Sequence, residues 1–161
     1  MRKATVALYL VPILIAVDLG AKFWALQVLV GLENPIPLFP GISLRFIANL
    51  GVSFGLLAGS PWAVILVTAA MTAALAVWFA RSTSSGEPLA IGCILAGAVS
   101  NLIDRLLNGA VTDFLSFGNP AAPLFTNNLA DIWITVGVAL LFGGALLNSR
   151  KSIPVRENQS P

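Results

Sequence analysis

The run Trp62-Ala-Val-Ile-Leu-Val-Thr-Ala-Ala-Met-Thr-Ala-Ala-Leu-Ala-Val-Trp-Phe-Ala80 holds no charged side chain over 19 residues. As a helix rising 1.5 Å per residue it would be nearly as long as the ~30 Å hydrocarbon layer of a bilayer is thick. Working outward, three other stretches have the same character: about Ala4 to Val30, about Leu89 to Leu107, and about Leu129 to Leu147. Hydrophobic residues make up 57% of the 161 and charged residues 10%, too apolar and too continuous for a soluble core of this size. The fold expected is therefore an all-α membrane protein with four transmembrane helices. Residues 1–150 would form one domain, and 151–161 a cytoplasmic tail expected to be disordered.

Arg2 and Lys3 ahead of an apolar run could also open a signal peptide. The apolar character resumes after Lys22, through Phe23, Trp24, Ala25 and Leu26, which suits a span better than a cleavage site. Basic residues orient the spans. Arg2, Lys3, Arg81, Arg150, Lys151 and Arg156 fall on one side, Arg45 and Arg105 on the other. Both termini are expected in the cytoplasm, with Trp62 and Trp133 near the outer interface and Trp78 near the inner one. Two segments then face outward. In Gly31 to Pro61, the alternation Ile42-Ser-Leu-Arg-Phe46 suits a short strand. In Asn108 to Asn128, Asp113 precedes a loop with Gly118, Pro120 and Pro123. Ala96, Gly97, Gly137, Gly143 and Gly144 suit close helix packing.

Composition narrows the chemistry. The chain has no histidine and one cysteine, Cys93. That excludes serine–histidine and cysteine–histidine catalysis, histidine-ligated metals, cysteine clusters and any intrachain disulfide. A net charge of +2 with scattered basic residues gives nucleic-acid binding no support. Carboxylates, lysine or a serine–lysine pair are left.

Four of the seven acidic residues are aspartates within or against the apolar runs: Asp18, Asp104, Asp113 and Asp131. A carboxylate at the centre of a membrane helix costs roughly 2.5–3.5 kcal/mol on insertion scales, so each is a functional candidate. Asp18 lies 14 residues beyond Ala4 and Asp104 15 beyond Leu89. Both positions reach the outer third of the layer, about 21–22 Å along their helices. Asp131, near the start of the descending fourth span, has a similar level.

Neighbours sort the four. Asp18 and Lys22, four apart, could form a local ion pair or act directly. Asp104, with Arg105 beside it and Asn101 three residues back, reads as a polar latch, while Arg105 could snorkel outward to meet a phosphate or a substrate carbonyl. Asp113 and Asp131 have no adjacent cation and flank one short outer segment. Brought face to face they would share a proton near neutral pH, one serving as base and the other as acid. Separately solvated loop and helix-cap aspartates remain the alternative.

The order of motifs resembles the lipoprotein signal peptidase (signal peptidase II) family. Asp18-Leu-Gly-Ala-Lys22 is similar to its Asp-x-x-Thr/Ser-Lys, and Asn49-Leu-Gly51-Val-Ser-Phe-Gly55 to its Asn-x-Gly-x-Ala/Ser-Phe-Gly. Gly97-Ala-Val-Ser-Asn101-Leu-Ile-Asp104-Arg105, with Gly109-Ala-Val-Thr-Asp113-Phe114, is similar to its most distinctive stretch, and Asn128-Leu-Ala-Asp131 to its Asn-x-Ala-Asp. The resemblance spans about Asp18 to Leu141. It implies a membrane aspartyl endopeptidase of the bacterial inner membrane that cuts prolipoprotein signal peptides on the N-terminal side of a diacylglyceryl-modified cysteine. Asp113 and Asp131 would be catalytic. Asp18, Lys22, Asn49, Gly51, Asn101, Asp104, Arg105 and Asn128 would bind substrate or support the site. It further implies a small extracytoplasmic β-platform, a short mobile helix, contact with membrane phospholipid, a monomer, and no cofactor or metal. Three positions depart from the pattern: Ala21 lacks a hydroxyl, Ser100 adds bulk where glycine is usual, and Asn127 replaces an aromatic. Two other readings follow from the same residues: an inactive relative that binds lipidated peptides, or a small proton-coupled transporter.

Overall fold

A computed structural model describes residues 2–51, 60–82 and 86–151. The chain folds as α1 (Arg2–Val28), β1 (Ile36–Phe39), β2 (Ile42–Asn49), α2 (Pro61–Arg81), α3 (Glu87–Asn108), β3 (Val111–Asn119), β4 (Ala122–Asn127) and α4 (Leu129–Lys151). Four stretches within these helices are long and apolar enough to cross a membrane: Thr5–Val28, Pro61–Arg81, Glu87–Asn108 and Leu129–Leu147. They match the four runs read from the sequence to within a few residues.

α3 is the centre of the bundle. It packs against α1, α2 and α4, whereas α2 and α4 make no comparable contact with each other among the described residues. Its spanning window is 56% buried, against 11% for α2 and α4, whose outward Leu66, Met71, Leu140 and Phe142 are left for lipid. Small residues set the closeness of α3 and α4. A Cβ on Gly97 would collide with the Ala130 carbonyl, and one on Gly137 would fall 2.5 Å from the Ala90 carbonyl oxygen. Both positions had been read as packing glycines.

The two segments expected to face outward form one antiparallel sheet in the order β1-β2-β3-β4. The strand expected at Ile42–Phe46 is the first part of β2, which continues to Asn49. This sheet is the small β-platform that the resemblance implied, and the segment expected to carry a loop at Gly118, Pro120 and Pro123 is a hairpin of β3 and β4, so Asp113 stands on a central strand. Its alternation is hidden because β3 is covered on both faces, with Val111, Thr112, Asp113 and Phe114 all buried. Gly109 makes the entry possible: at φ 76° it ends α3 in the left-handed conformation and donates its N–H to the Arg105 carbonyl at 2.9 Å. The sheet is docked on α1, where Ala25 and Leu29 pack with Leu44 of β2 and Phe114 of β3. No short outer helix occurs among the described residues. Val52–Gly55 of the second motif and the tail beyond Lys151 lie outside them.

Candidate active site

The site is assembled where the sheet meets the bundle, beginning with a buried cation. Lys22 is 2% exposed, and its ammonium lies 2.8 Å from Asp18 Oδ2 and 3.6 Å from Asp104 Oδ2. The ion pair expected from the four-residue spacing is present, and α3 supplies the second carboxylate. A charge so deep persists only when it is paired and hydrogen-bonded. Its third partner is Asn101, whose Oδ1 accepts from Lys22 Nζ at 2.6 Å.

Asp18 ties three helices together. Besides Lys22, it accepts the Ser100 hydroxyl at 2.6 Å and the backbone N–H of Ala130 at 2.8 Å. The Ala130 N–H lies in the first turn of α4, where unpaired amides favour an anion. Asp104 is a latch, as expected, but its partners are not Arg105. It accepts the Thr112 N–H at 2.6 Å, the Thr112 hydroxyl at 3.3 Å and the Asn108 amide at 2.7 Å. The carboxylate at the end of α3 thus seats β3 one residue before Asp113.

Asn128 joins the two candidate catalytic acids. Its Nδ2 donates to Asp113 Oδ1 at 2.5 Å, while its Oδ1 accepts the Asp131 N–H at 3.0 Å as the cap of α4. Asp113 also accepts Asn49 Nδ2 at 3.0 Å, and Asp131 accepts Asn101 Nδ2 at 3.0 Å. Asp113 is 3% exposed, so the reading of it as a solvated loop residue does not hold. Burial pushes its carboxyl up to about 6, against the opposing pull of the Asn49 and Asn128 amides, and the Asp131 charge adds to the rise.

Arg105 does not snorkel. Its Nη2 donates to the Gly51 carbonyl at 2.8 Å, and the Gly51 N–H in turn donates to Asn49 Oδ1 at 3.1 Å. Its buried Nε has no partner among the described residues. Asp18, Lys22, Asn49, Gly51, Asn101, Asp104, Arg105, Asp113, Asn128 and Asp131, all singled out from the sequence, therefore belong to one connected network. Ser100 and Thr112 were not chosen from the sequence. Ser100 had been read as added bulk, yet its hydroxyl bonds Asp18, 82 positions away in the chain.

A groove of about 930 Å³ opens beside the network, between the diverging α2 and α4. Asn101, Arg105 and Asp131 line its polar end, and Met71, Leu75 and Ile94 its apolar end. Asn127 lines it too, placing an amide at the position where the family's pattern has an aromatic.

A family model described as signal peptidase (SPase) II matches residues 10–147. The chain belongs to this family. Curated relatives called lipoprotein signal peptidase include one from Symbiobacterium thermophilum, 36% identical over 149 residues, covering 90% of this chain and 97% of that protein. One from Chlorobaculum parvum is 38% identical over 141 residues, covering 81% and 88%. One from Escherichia coli is 36% identical over 149 residues, covering 89% and 90%. A solved structure described as a bacterial membrane enzyme superposes with a TM-score of 0.79 at 23% identity, covering 98% of this chain and 95% of that one, and so shares the fold. Signal peptidase II membership makes this chain a multi-pass membrane peptidase.

Proposed function

We propose that this peptidase removes signal peptides from diacylglyceryl-modified prolipoproteins, cutting on the N-terminal side of the lipidated cysteine, with Asp113 and Asp131 as an aspartyl dyad. The observation that supports the dyad most is the Asn128 side chain, which bonds the Asp113 carboxylate at 2.5 Å and the backbone N–H of Asp131 at 3.0 Å, and so brings the two residues to one amide. One carboxylate takes a proton from water, and the oxygen attacks the scissile carbonyl. The other carboxyl holds the tetrahedral oxygen and protonates the departing amine. This chemistry asks for no metal. The signal peptide would occupy the groove between α2 and α4, its scissile bond at the polar end and its lipid along the apolar flanks. The excess of basic residues at both termini supports a cytoplasmic location for them, which puts the dyad towards the outer leaflet.

The test is cleavage of a lipidated prolipopeptide by the purified protein in the presence of a chelator. Asp113→Asn and Asp131→Asn should each lower the rate by roughly 10²–10⁴-fold, the usual range for general acid–base groups. Cleavage surviving both substitutions removes the dyad. A protein that binds the lipopeptide and never cuts it is the inactive relative, and activity lost to the chelator contradicts metal-free hydrolysis.

A further inference from the structure

The two aspartates have unlike surroundings, and the difference lies in what stands behind their amide partners. Asp131 accepts from Asn101 Nδ2, and the carbonyl of that same amide is bound by the Lys22 ammonium at 2.6 Å. An amide whose oxygen is held by a cation is polarised, and its N–H becomes a stronger donor. Asp131 also stands in the first turn of α4, where the helix dipole favours a carboxylate. Asp113 accepts two amides where Asp131 accepts one, but neither of the two is backed by a cation. The Asn128 oxygen is bound by the Asp131 N–H and the Asn49 oxygen by the Gly51 N–H. Each Asp113 oxygen takes one amide, Oδ1 from Asn128 and Oδ2 from Asn49, so a lone pair on either is open to a proton.

We propose that the dyad is polarised: Asp131 holds the negative charge, Asp113 holds the proton, and Lys22 fixes this order through Asn101. The proposal rests on the dyad reading above and assigns its two roles. In the reaction, Asp131 takes a proton from water as the water oxygen bonds to the scissile carbon. The O–H of Asp113 hydrogen-bonds the tetrahedral oxyanion, then passes its proton to the amide nitrogen as the C–N bond breaks. The carbonyl re-forms in the acid product, and the proton on Asp131 crosses to Asp113. Lys22 and Asn101 are positioning residues, since neither meets the reacting atoms.

The other charges about the pair do not reverse the order. Lys22 carries one charge between Asp18 and Asp104, so the trio keeps a net negative charge, spread over the Ala130 N–H and Ser100 on the first and Thr112 on the second, and neither of these carboxylates bonds a member of the dyad. The Arg105 guanidinium favours charge on Asp113, Asp131 and Asp104, most on Asp113, but its hydrogen bond goes to the Gly51 carbonyl and to neither acid, so it opposes the order without the direct hold that Asn101 has on Asp131.

The pH profile of lipopeptide cleavage separates the two orders. If Asp131 is the ionised member of the singly protonated dyad, weakening its anion shifts the first deprotonation and leaves the second in place. Asn101→Leu, which keeps Lys22 between Asp18 and Asp104, should therefore move the acid limb up by roughly one pH unit and leave the basic limb unmoved. Asn49→Ala, which removes a donor from Asp113, should move the basic limb and spare the acid limb. Asn101→Ser serves the same purpose if the leucine variant does not accumulate. The reverse pattern overturns the proposal, as do limbs that move together or not at all. Failure of the dyad itself would look different, because Asp113→Asn and Asp131→Asn would then still cleave.

Discussion

α2 and α3 are neighbouring helices of nearly equal length, 21 and 22 residues, and they use membrane-compatible sequence for opposite ends. α2 has one charged residue, Arg81 in its last turn, and exposes Leu66 and Met71. α3 buries Ser100, Asn101, Asp104 and Arg105 in its C-terminal half, each with a named partner. The difference shows what lets polar residues survive in such a chain. They must be ringed by other helices, and each donor or acceptor must be met from a separate element. Among the described residues α2 has only one close helical neighbour, so it is apolar, and its two threonines bond their own helix, Thr68 to the Val64 carbonyl and Thr72 to the Thr68 carbonyl.

The comparison is broken most severely by removing the cation that the polar layer is built around. Lys22→Met leaves Asp18 and Asp104 buried without their counter-charge and should cost about 3–5 kcal/mol, as breaking buried ion pairs does. Thermal midpoints in detergent read the effect. Arg81→Met, at the exposed end of α2, should stay within about 0.5 kcal/mol of the parent. Equal losses from the two would mean that the buried pair is no more than a surface one.

A somewhat smaller effect belongs to Asp113, whose carboxyl is raised to about 6 in the folded protein. A raised acid binds its proton more tightly folded than unfolded, so the folded state gains protons over the window from about 4 to 6. Stability attributable to this residue therefore falls as pH rises through that window, by roughly 3 kcal/mol in all. The midpoint of the wild type should gain on that of Asp113→Asn as the buffer is taken from pH 6 to pH 4. A difference that is flat, or that runs the other way, contradicts the burial argument.

The layout was legible in the sequence where one element suffices to read it. Hydropathy fixes the four spans, and the alternation Ile42–Phe46 marks the start of β2, because one periodic segment holds the signal. The hairpin was missed for a physical reason: β3 is buried on both faces, so Val111-Thr-Asp-Phe-Leu115 has no alternating pattern. In the site, Asp113 and Asp131 stood out for lacking neighbouring cations. The residues around them were named through the resemblance, but their pairings were not legible, since the bond from the Ala130 N–H to Asp18 links residues 112 apart, and Lys22 reaches Asn101 across 79. Ser100 is visible in its motif as a small residue. That its hydroxyl faces Asp18 is a property of how α1 packs on α3, which no local pattern encodes.

The sharpest form of the α2–α3 contrast concerns spacing alone. Gly97 of α3 lies against the Ala130 carbonyl and Ile134 of α4, one residue before Asp131, so the distance between these helices sets where one catalytic candidate stands relative to Asn101. Gly97→Val must push α4 away, at a cost of about 1–3 kcal/mol for overpacking. It should also slow lipopeptide cleavage by more than the lost stability explains, because a displacement of ~1 Å at a site can cost about 10²-fold in rate. Gly144, on α4 and with open space at its Cβ position, gives the control. Gly144→Ala should change neither quantity by much, with stability held within about 0.5 kcal/mol. A Gly97→Val protein that unfolds more easily yet cleaves at the parental rate would separate helix packing from placement of the acids, and would leave the Asp18 and Asn101 bonds alone to hold Asp131 in register.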